Sequence, residues 1–260
     1  MREVENVLQE YARQLGGLSA PISIRQLASV RSIRDIVVSD SVDGDANLIP
    51  TNGGFLLKVR KRQWRKRMRF SCAHEIAHTF FYDVSKPVPT RPLGSLMSDE
   101  EEELCDIAAA ELLMPSQLIR RYTSRIKEKE LTCKHILHLS DKFMVSQQSI
   151  ARKLWKDLSL WSRTLIIGWR FSQNKKELKI DWFQKPREFR GFIPLSKRAH
   201  PQSLIYEALY RDEELLTREK LDIGTLREEF EYRVASYGNP ACVMTLISLD
   251  SGQDMQLPLS

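Results

Sequence analysis

Histidine and cysteine are scarce in this chain of 260 residues, with five of the first and four of the second. Cys72, Cys105, Cys133 and Cys242 are scattered and form no C-x-x-C pair. That pattern reads as reduced thiols in a cytosol. No stretch of about 18 uncharged apolar residues exists, so no membrane-spanning helix and no membrane partner are expected. The first residues, Met1-Arg2-Glu3-Val4-Glu5-Asn6, lack an apolar signal region. These absences together lead us to expect a soluble, cytoplasmic protein.

What is present is enough apolar residue, 42 %, for a substantial core, and a net charge of +6. The charge is unevenly spread. Lys58 to Arg69 holds eight basic residues in twelve. Such a run suits nucleic acid or an acidic substrate. The simpler reading, a solvated loop and helix face leading into the next segment, is preferred, because a charge run alone is weak evidence.

Two of the five histidines fall in Phe70-Ser71-Cys72-Ala73-His74-Glu75-Ile76-Ala77-His78-Thr79-Phe80-Phe81, which contains His-Glu-x-x-His. On a helix, residues i and i+4 share a face, so His74 and His78 can offer both imidazoles to one ion. Glu75 then stands beside that ion without ligating it, placed to take a proton from water and pass it to a leaving group. Ala73, Ile76, Ala77, Phe80 and Phe81 make the segment apolar enough for a core helix. Inside such a helix, a glutamate between two histidines is costly without a partner.

No Gly or His follows between Thr79 and Pro89 to continue the motif with a third histidine. The third ligand is therefore sought on a later helix, giving two His and one Glu with one position open. Ser98, Asp99, Glu100 and Glu101 form a capping box with an acidic first turn. Glu100, Glu101 and Glu103 read as a solvated helix start. Glu102 differs, because Asp106 follows four residues later on the same face, in line with Ala109 and Leu113. Glu102 is the expected ligand, with Asp106 accepting the free ring N–H of a ligand histidine and fixing its tautomer. A thiol ligand from Cys72 or Cys105 is not needed to complete this set.

The stretch Arg69 to His78 resembles the R-F-T-x-A-H-E-x-x-H motif of the ImmA/IrrE metallopeptidase family. Glu102 to Pro115, with Ala108-Ala109-Ala110-Glu111-Leu112-Leu113-Met114-Pro115, resembles that family's E-x-x-x-N-x-x-A-A-E-L-L-M-P block. The family's Glu ligand lies 13 residues before the proline, here Glu102, and Asp106 stands where Asn is commoner. The resemblance covers residues 1–120 and implies a zincin-like Zn²⁺ endopeptidase, with Mn²⁺ an alternative ion. It also implies a protein substrate, typically a helix-turn-helix repressor whose cleavage releases stress or mobile-element genes. Tyr82, four residues past His78, is a candidate to stabilise the oxyanion.

Elsewhere, Val4 to Leu15 reads as a helix stopped by Gly16-Gly17, and Ser23 as the cap of a second helix. Ile36 to Val38 and Gly53 to Val59 read as strands, the latter an edge strand on which an extended substrate can pair. Ser39 to Asn47 reads as a polar loop, and Asp83 to Leu96, with three prolines and a glycine, as an irregular loop. Gln117 to Lys129 reads as a basic helix. His135 to Leu154 resembles a helix-turn-helix with Ser146 as cap and Met144 in the turn, where Gly is usual. Its exposed Gln147, Gln148 and Arg152 are base-contacting types, while His135 and His138 read as surface or half-buried residues. Strands follow at Leu165 to Phe171, Glu177 to Phe183 and Ala241 to Leu249, with a hairpin loop at Gln173-Asn174-Lys175, a helix at Ser203 to Leu216, and a turn at Gly238-Asn239-Pro240.

The expected organisation is α+β: a mainly helical, zincin-like peptidase domain with a small sheet over 1–125, a helix-turn-helix-like segment over 126–160, and an α+β domain over 161–260. By the resemblance, the last is GAF-like and regulatory. A rival reading is a DNA-binding regulator that uses the helix-turn-helix and the basic run, with a structural or vestigial zinc site.

Overall fold

The computed structural model describes residues 1–92, 99–174, 176–211, 213–221, 223, 226, 231–239 and 242–249. Eight α-helices and two sheets, of three and five strands, make it an α+β protein among the described residues. The chain divides into two compact units, 1–123 with 141–146, and 124–140 with 147–260. The segment 126–160 is shared between them.

In the first unit, helix α1 (Arg2–Leu15) buries Val4, Val7, Leu8 and Tyr11 on one face. It ends at Gly16, whose φ of 71° is the left-handed cap conformation. Helix α2 (Ile24–Val30) starts at Ser23, whose hydroxyl accepts from the Gln26 N–H as expected. Strands β1 (Ile33–Ser39), β2 (Ala46–Thr51) and β3 (Gly54–Arg60) form a sheet in the order β1-β3-β2, with β1 parallel and β2 antiparallel to β3. Phe55, Leu57 and Val59 alternate into the core.

Two expectations are corrected here. The strand beginning at Gly53-Gly54 is central, not an edge, because β1 and β2 pair with it from both sides. The end of the polar loop is already β2, which Pro50 disguised. Proline is tolerated in a strand at a sheet edge, where its missing N–H costs nothing.

Helix α3 (Arg65–His78) packs against α4 (Asp99–Leu113). Ser98, the expected cap of α4, lies outside the described residues, as do 93–97 of the preceding loop. Helix α5 (Ser116–Thr123) is shorter than the expected 117–129, and buries Leu118 and Ile119. The Glu111 carboxylate accepts from the Ser116 N–H and hydroxyl, both at 2.7 Å, so it caps α5.

Helix α6 (Cys133–Phe143) is followed by Met144 at φ 53° and by α7 (Gln147–Arg152), which begins directly after Ser146. The second unit carries β4 (Thr164–Ser172), β5 (Glu177–Gln184), α8 (Leu204–Glu207), β6 (Leu215–Lys220), β7 (Glu231–Asn239) and β8 (Cys242–Ser248). They form an antiparallel sheet in the order β5-β4-β8-β7-β6. Leu165, Ile167, Trp169, Val234 and Ile247 anchor its core. The helix expected over 203–216 is one turn, and its last two residues already belong to β6. Lys175 of the expected hairpin loop and Pro240 of the expected turn lie outside the described residues.

Candidate metal centre

The site is built on the pair α3 and α4. Alanine at 73, 77, 108 and 109 is buried, which lets the two helices approach closely. The end of α3 is held from outside: Arg31 donates Nε to the Thr79 hydroxyl at 2.9 Å and a terminal nitrogen to the Thr79 carbonyl at 3.0 Å. That grip satisfies a carbonyl of the helix terminus one residue past His78.

His74 Nε2 and His78 Nε2 face one another at 3.1 Å. Glu102 meets both, with Oε2 3.0 Å from His74 Nε2 and Oε1 3.4 Å from His78 Nε2. Ligands about 2.0–2.1 Å from a tetrahedral Zn²⁺ stand roughly 3.3 Å from each other. The observed separations of 3.0–3.4 Å match that spacing, so this donor set fits such an ion. The two sides of the site differ in access: the His78 side chain is 6 % exposed and that of Glu102 is 44 %.

Each ring is held from behind. Asp106 Oδ1 lies 2.9 Å from His74 Nδ1, in the place expected for it. An ionised carboxylate only accepts, so the ring donates its Nδ1–H and keeps the Nε2 lone pair on the inner side. The same arrangement recurs at His78, whose Nδ1 stands 2.8 Å from Glu101 Oε1. Glu101 was expected to be solvated and is instead buried, because Arg91 meets it with two hydrogen bonds of 2.6 and 2.8 Å. Arg91 holds the carboxyl of Glu101 below the usual range. Glu100 and Glu103 are exposed, as expected.

Glu75 is half-buried beside the converging atoms and is not one of them. Burial pushes its carboxyl up. The His78 and His74 rings and the Leu48 backbone N–H, which donates to it from β2, pull it down, and Glu102 adds to the rise. The edge strand thus reaches the carboxylate expected to carry the proton.

Tyr82 stacks edge-on against Phe55, 5.2 Å between ring centres, with the Arg91 guanidinium 4.8 Å from its ring centre. Burial pushes the thiols of both Cys72, to about 12, and Cys105 upward. A second grouping of His78, Glu101 and Cys105 is also compact. Glu101 is already engaged there by Arg91, and Cys105 takes no place among the three facing atoms.

The other candidates are dispersed. Gln148 and Arg152 on α7 are exposed and Gln147 is half-buried, all in the second unit. His135 is half-buried and accepts from the Thr132 N–H at 3.1 Å, and His138 is exposed. In the basic run, Arg67 pairs with Asp45 at 2.8 Å and Lys66 with Asp141 at 2.8 Å. Arg69 donates to the carbonyls of Ile22 and Met144, and Arg60 to that of Val42. Half of the run is therefore spent on holding the first unit together.

A helix with two facing histidines, a carboxylate from the next helix and a small mixed sheet alongside define a zincin-like domain. Residues 51–154 match the model of the M78 peptidases, described as an IrrE N-terminal-like domain. Over those residues the chain is similar to the metallopeptidase-type domain of the ImmA/IrrE family. No curated protein matches it. Among solved structures, it shares its fold with a Mycobacterium tuberculosis transcriptional regulator at 13 % identity and a TM-score of 0.52, over 95 % of this chain and 76 % of that one. Among the described residues, no helix is long and apolar enough to cross a membrane.

Proposed function

We propose that this protein is a zinc-dependent endopeptidase in which His74, His78 and Glu102 hold the ion and Glu75 moves the proton. The observation that carries this reading is the mutual 3.0–3.4 Å spacing of the three facing donors, with Glu75 beside them and outside the set. When bound, Zn²⁺ would polarise the scissile carbonyl and make water more acidic.

The chain's own residues do the rest. Glu75 accepts a proton from the attacking water, whose oxygen forms the new bond to the carbonyl carbon. The carboxyl then gives that proton to the amide nitrogen as the C–N bond breaks, so the products are one acid and one amine. Leu48 orients the Glu75 carboxylate through its N–H. Asp106 holds His74. Strand β2, an edge beside α3, offers its outer backbone groups to an extended peptide.

The substrate is a single repressor of the helix-turn-helix kind, and its cleavage releases genes that the repressor silences. The family resemblance supports this. The second unit would act in recruiting or gating that substrate. The test is to incubate the full chain, with Zn²⁺ or Mn²⁺, with a repressor encoded beside its gene and with unfolded casein. Selective cleavage of the repressor is expected. Casein cut as fast as the repressor, or faster, would defeat the proposed selectivity. Tight, salt-dependent operator binding without any cleavage would favour a DNA-binding regulator using Gln147, Gln148 and Arg152.

A further inference from the structure

We propose that Glu101 and Arg91 are positioning residues that jointly set the ring orientation and tautomer of His78, and with them the hold on the ion. This rests on the reading of His74, His78 and Glu102 as the ion-holding set. His78 donates its Nδ1–H to Glu101 over 2.8 Å, which leaves the Nε2 lone pair directed at His74 and Glu102. The His78 ring and the Glu101 carboxylate are each 6 % exposed. A carboxylate so buried is costly unless it is paired. Arg91 pairs with it in a fork, Nη1 donating to Oε2 at 2.6 Å and Nη2 to Oε1 at 2.8 Å.

Arg91 is itself fixed. Its guanidinium lies over Tyr82, Tyr82 packs edge-on against Phe55 of β3, and the neighbouring Thr90 exchanges backbone hydrogen bonds with Asp83. A continuous set of contacts therefore runs from β3 through Tyr82, Arg91 and Glu101 to His78. Asp106, the corresponding support of His74, is 50 % exposed. In its wetter surroundings the same hydrogen bond is weaker. The buried pair therefore governs ion retention more than Asp106 does.

The experiment uses the full chain. Zn²⁺ affinity is read by competition with a chromophoric chelator, and the His78 Nδ1–H resonance by NMR of the zinc-loaded, ¹⁵N-histidine-labelled protein. Melting of the metal-free variants checks that they fold. His78→Ala comes first: zinc held as tightly as in the wild type would remove the ion-holding reading itself, and this proposal with it. With that loss established, Glu101→Gln and Arg91→Ala should each weaken Zn²⁺ binding ~10–100-fold, more than Asp106→Asn does. Both should shift the Nδ1–H resonance, since its acceptor becomes neutral or loses its anchor. Arg91→Lys should recover part of the affinity by restoring the charge without the fork. Wild-type affinity and an unmoved resonance in Glu101→Gln and Arg91→Ala would overturn the proposal. If Glu101→Gln does not fold, the Arg91→Ala and Arg91→Lys comparison decides in the same way.

Discussion

At the residue scale, neighbours on one helix turn carry different chemistry because successive residues point about 100° apart. Glu75 sits next to His74 in sequence yet outside the facing donors. Glu75→Gln is therefore expected to keep the ion and to lose peptide hydrolysis by several orders of magnitude, measured as metal content and turnover on the same sample. On α4, Glu102 meets the Nε2 side of the rings, while Glu103 points to solvent. Glu102→Ala should release zinc and Glu103→Ala should retain it. Equal zinc in the two would mean that the third donor is misassigned. Asp106→Ala should weaken binding ~10-fold, less than Glu101→Gln or Arg91→Ala, without abolishing it, because it removes the orienting bond and no donor.

At the scale of elements, the sheet supports the site through close backbone contacts. Gly54 opens β3 at φ 146°, and a Cβ there would stand 2.1 Å from the Ser32 carbonyl at the entry to β1. That carbonyl accepts the Phe55 N–H at 3.0 Å. Gly54→Ala should thus disturb the β1–β3 pairing at its first rung. We expect a loss of about 1–3 kcal/mol, read as a lower midpoint in urea. A midpoint equal to wild type would show that the strands can part without cost. Strand β2 should feel this less, since it joins β3 through the Asn52-Gly53 turn, a sequence suited to a tight hairpin.

At the scale of the molecule, the division of the chain does not follow its order. Residues 141–146 belong to the same unit as 1–123. Phe143 is fully buried with its ring edge-on to Tyr122 at 5.7 Å, Lys66 pairs with Asp141, and Arg69 donates to the Met144 carbonyl. A fragment ending at Tyr122 strips Phe143 from that site. It should be less stable than a fragment ending at Ser146 by an amount typical of losing a large buried side chain, about 3–5 kcal/mol. Comparing the thermal melting of the two metal-free fragments tests this, and coincident curves would refute it.

Much of the site was legible from local pattern alone. The i, i+4 spacing of His74 and His78 needs only a helix to bring them together, and Glu102 with Asp106 needs only a second one. The same holds for the helix stop at Gly16, the cap at Ser23 and the strands from Leu165 and Glu177. What required the tertiary structure was every feature whose partner is distant or unlike its surroundings. Glu101 looked like one of four acidic residues in a wet first turn, and only Arg91, brought back by the 83–92 loop, makes its burial tolerable. Strand β2 was hidden by Pro50, which a strand accepts only when pairing leaves it at an edge. Leu48 carries no catalytic side chain, so nothing local could mark its backbone N–H as a partner of Glu75. Sequence sets which residues share a face; burial and charge compensation across the fold set which of them are dry, paired and held.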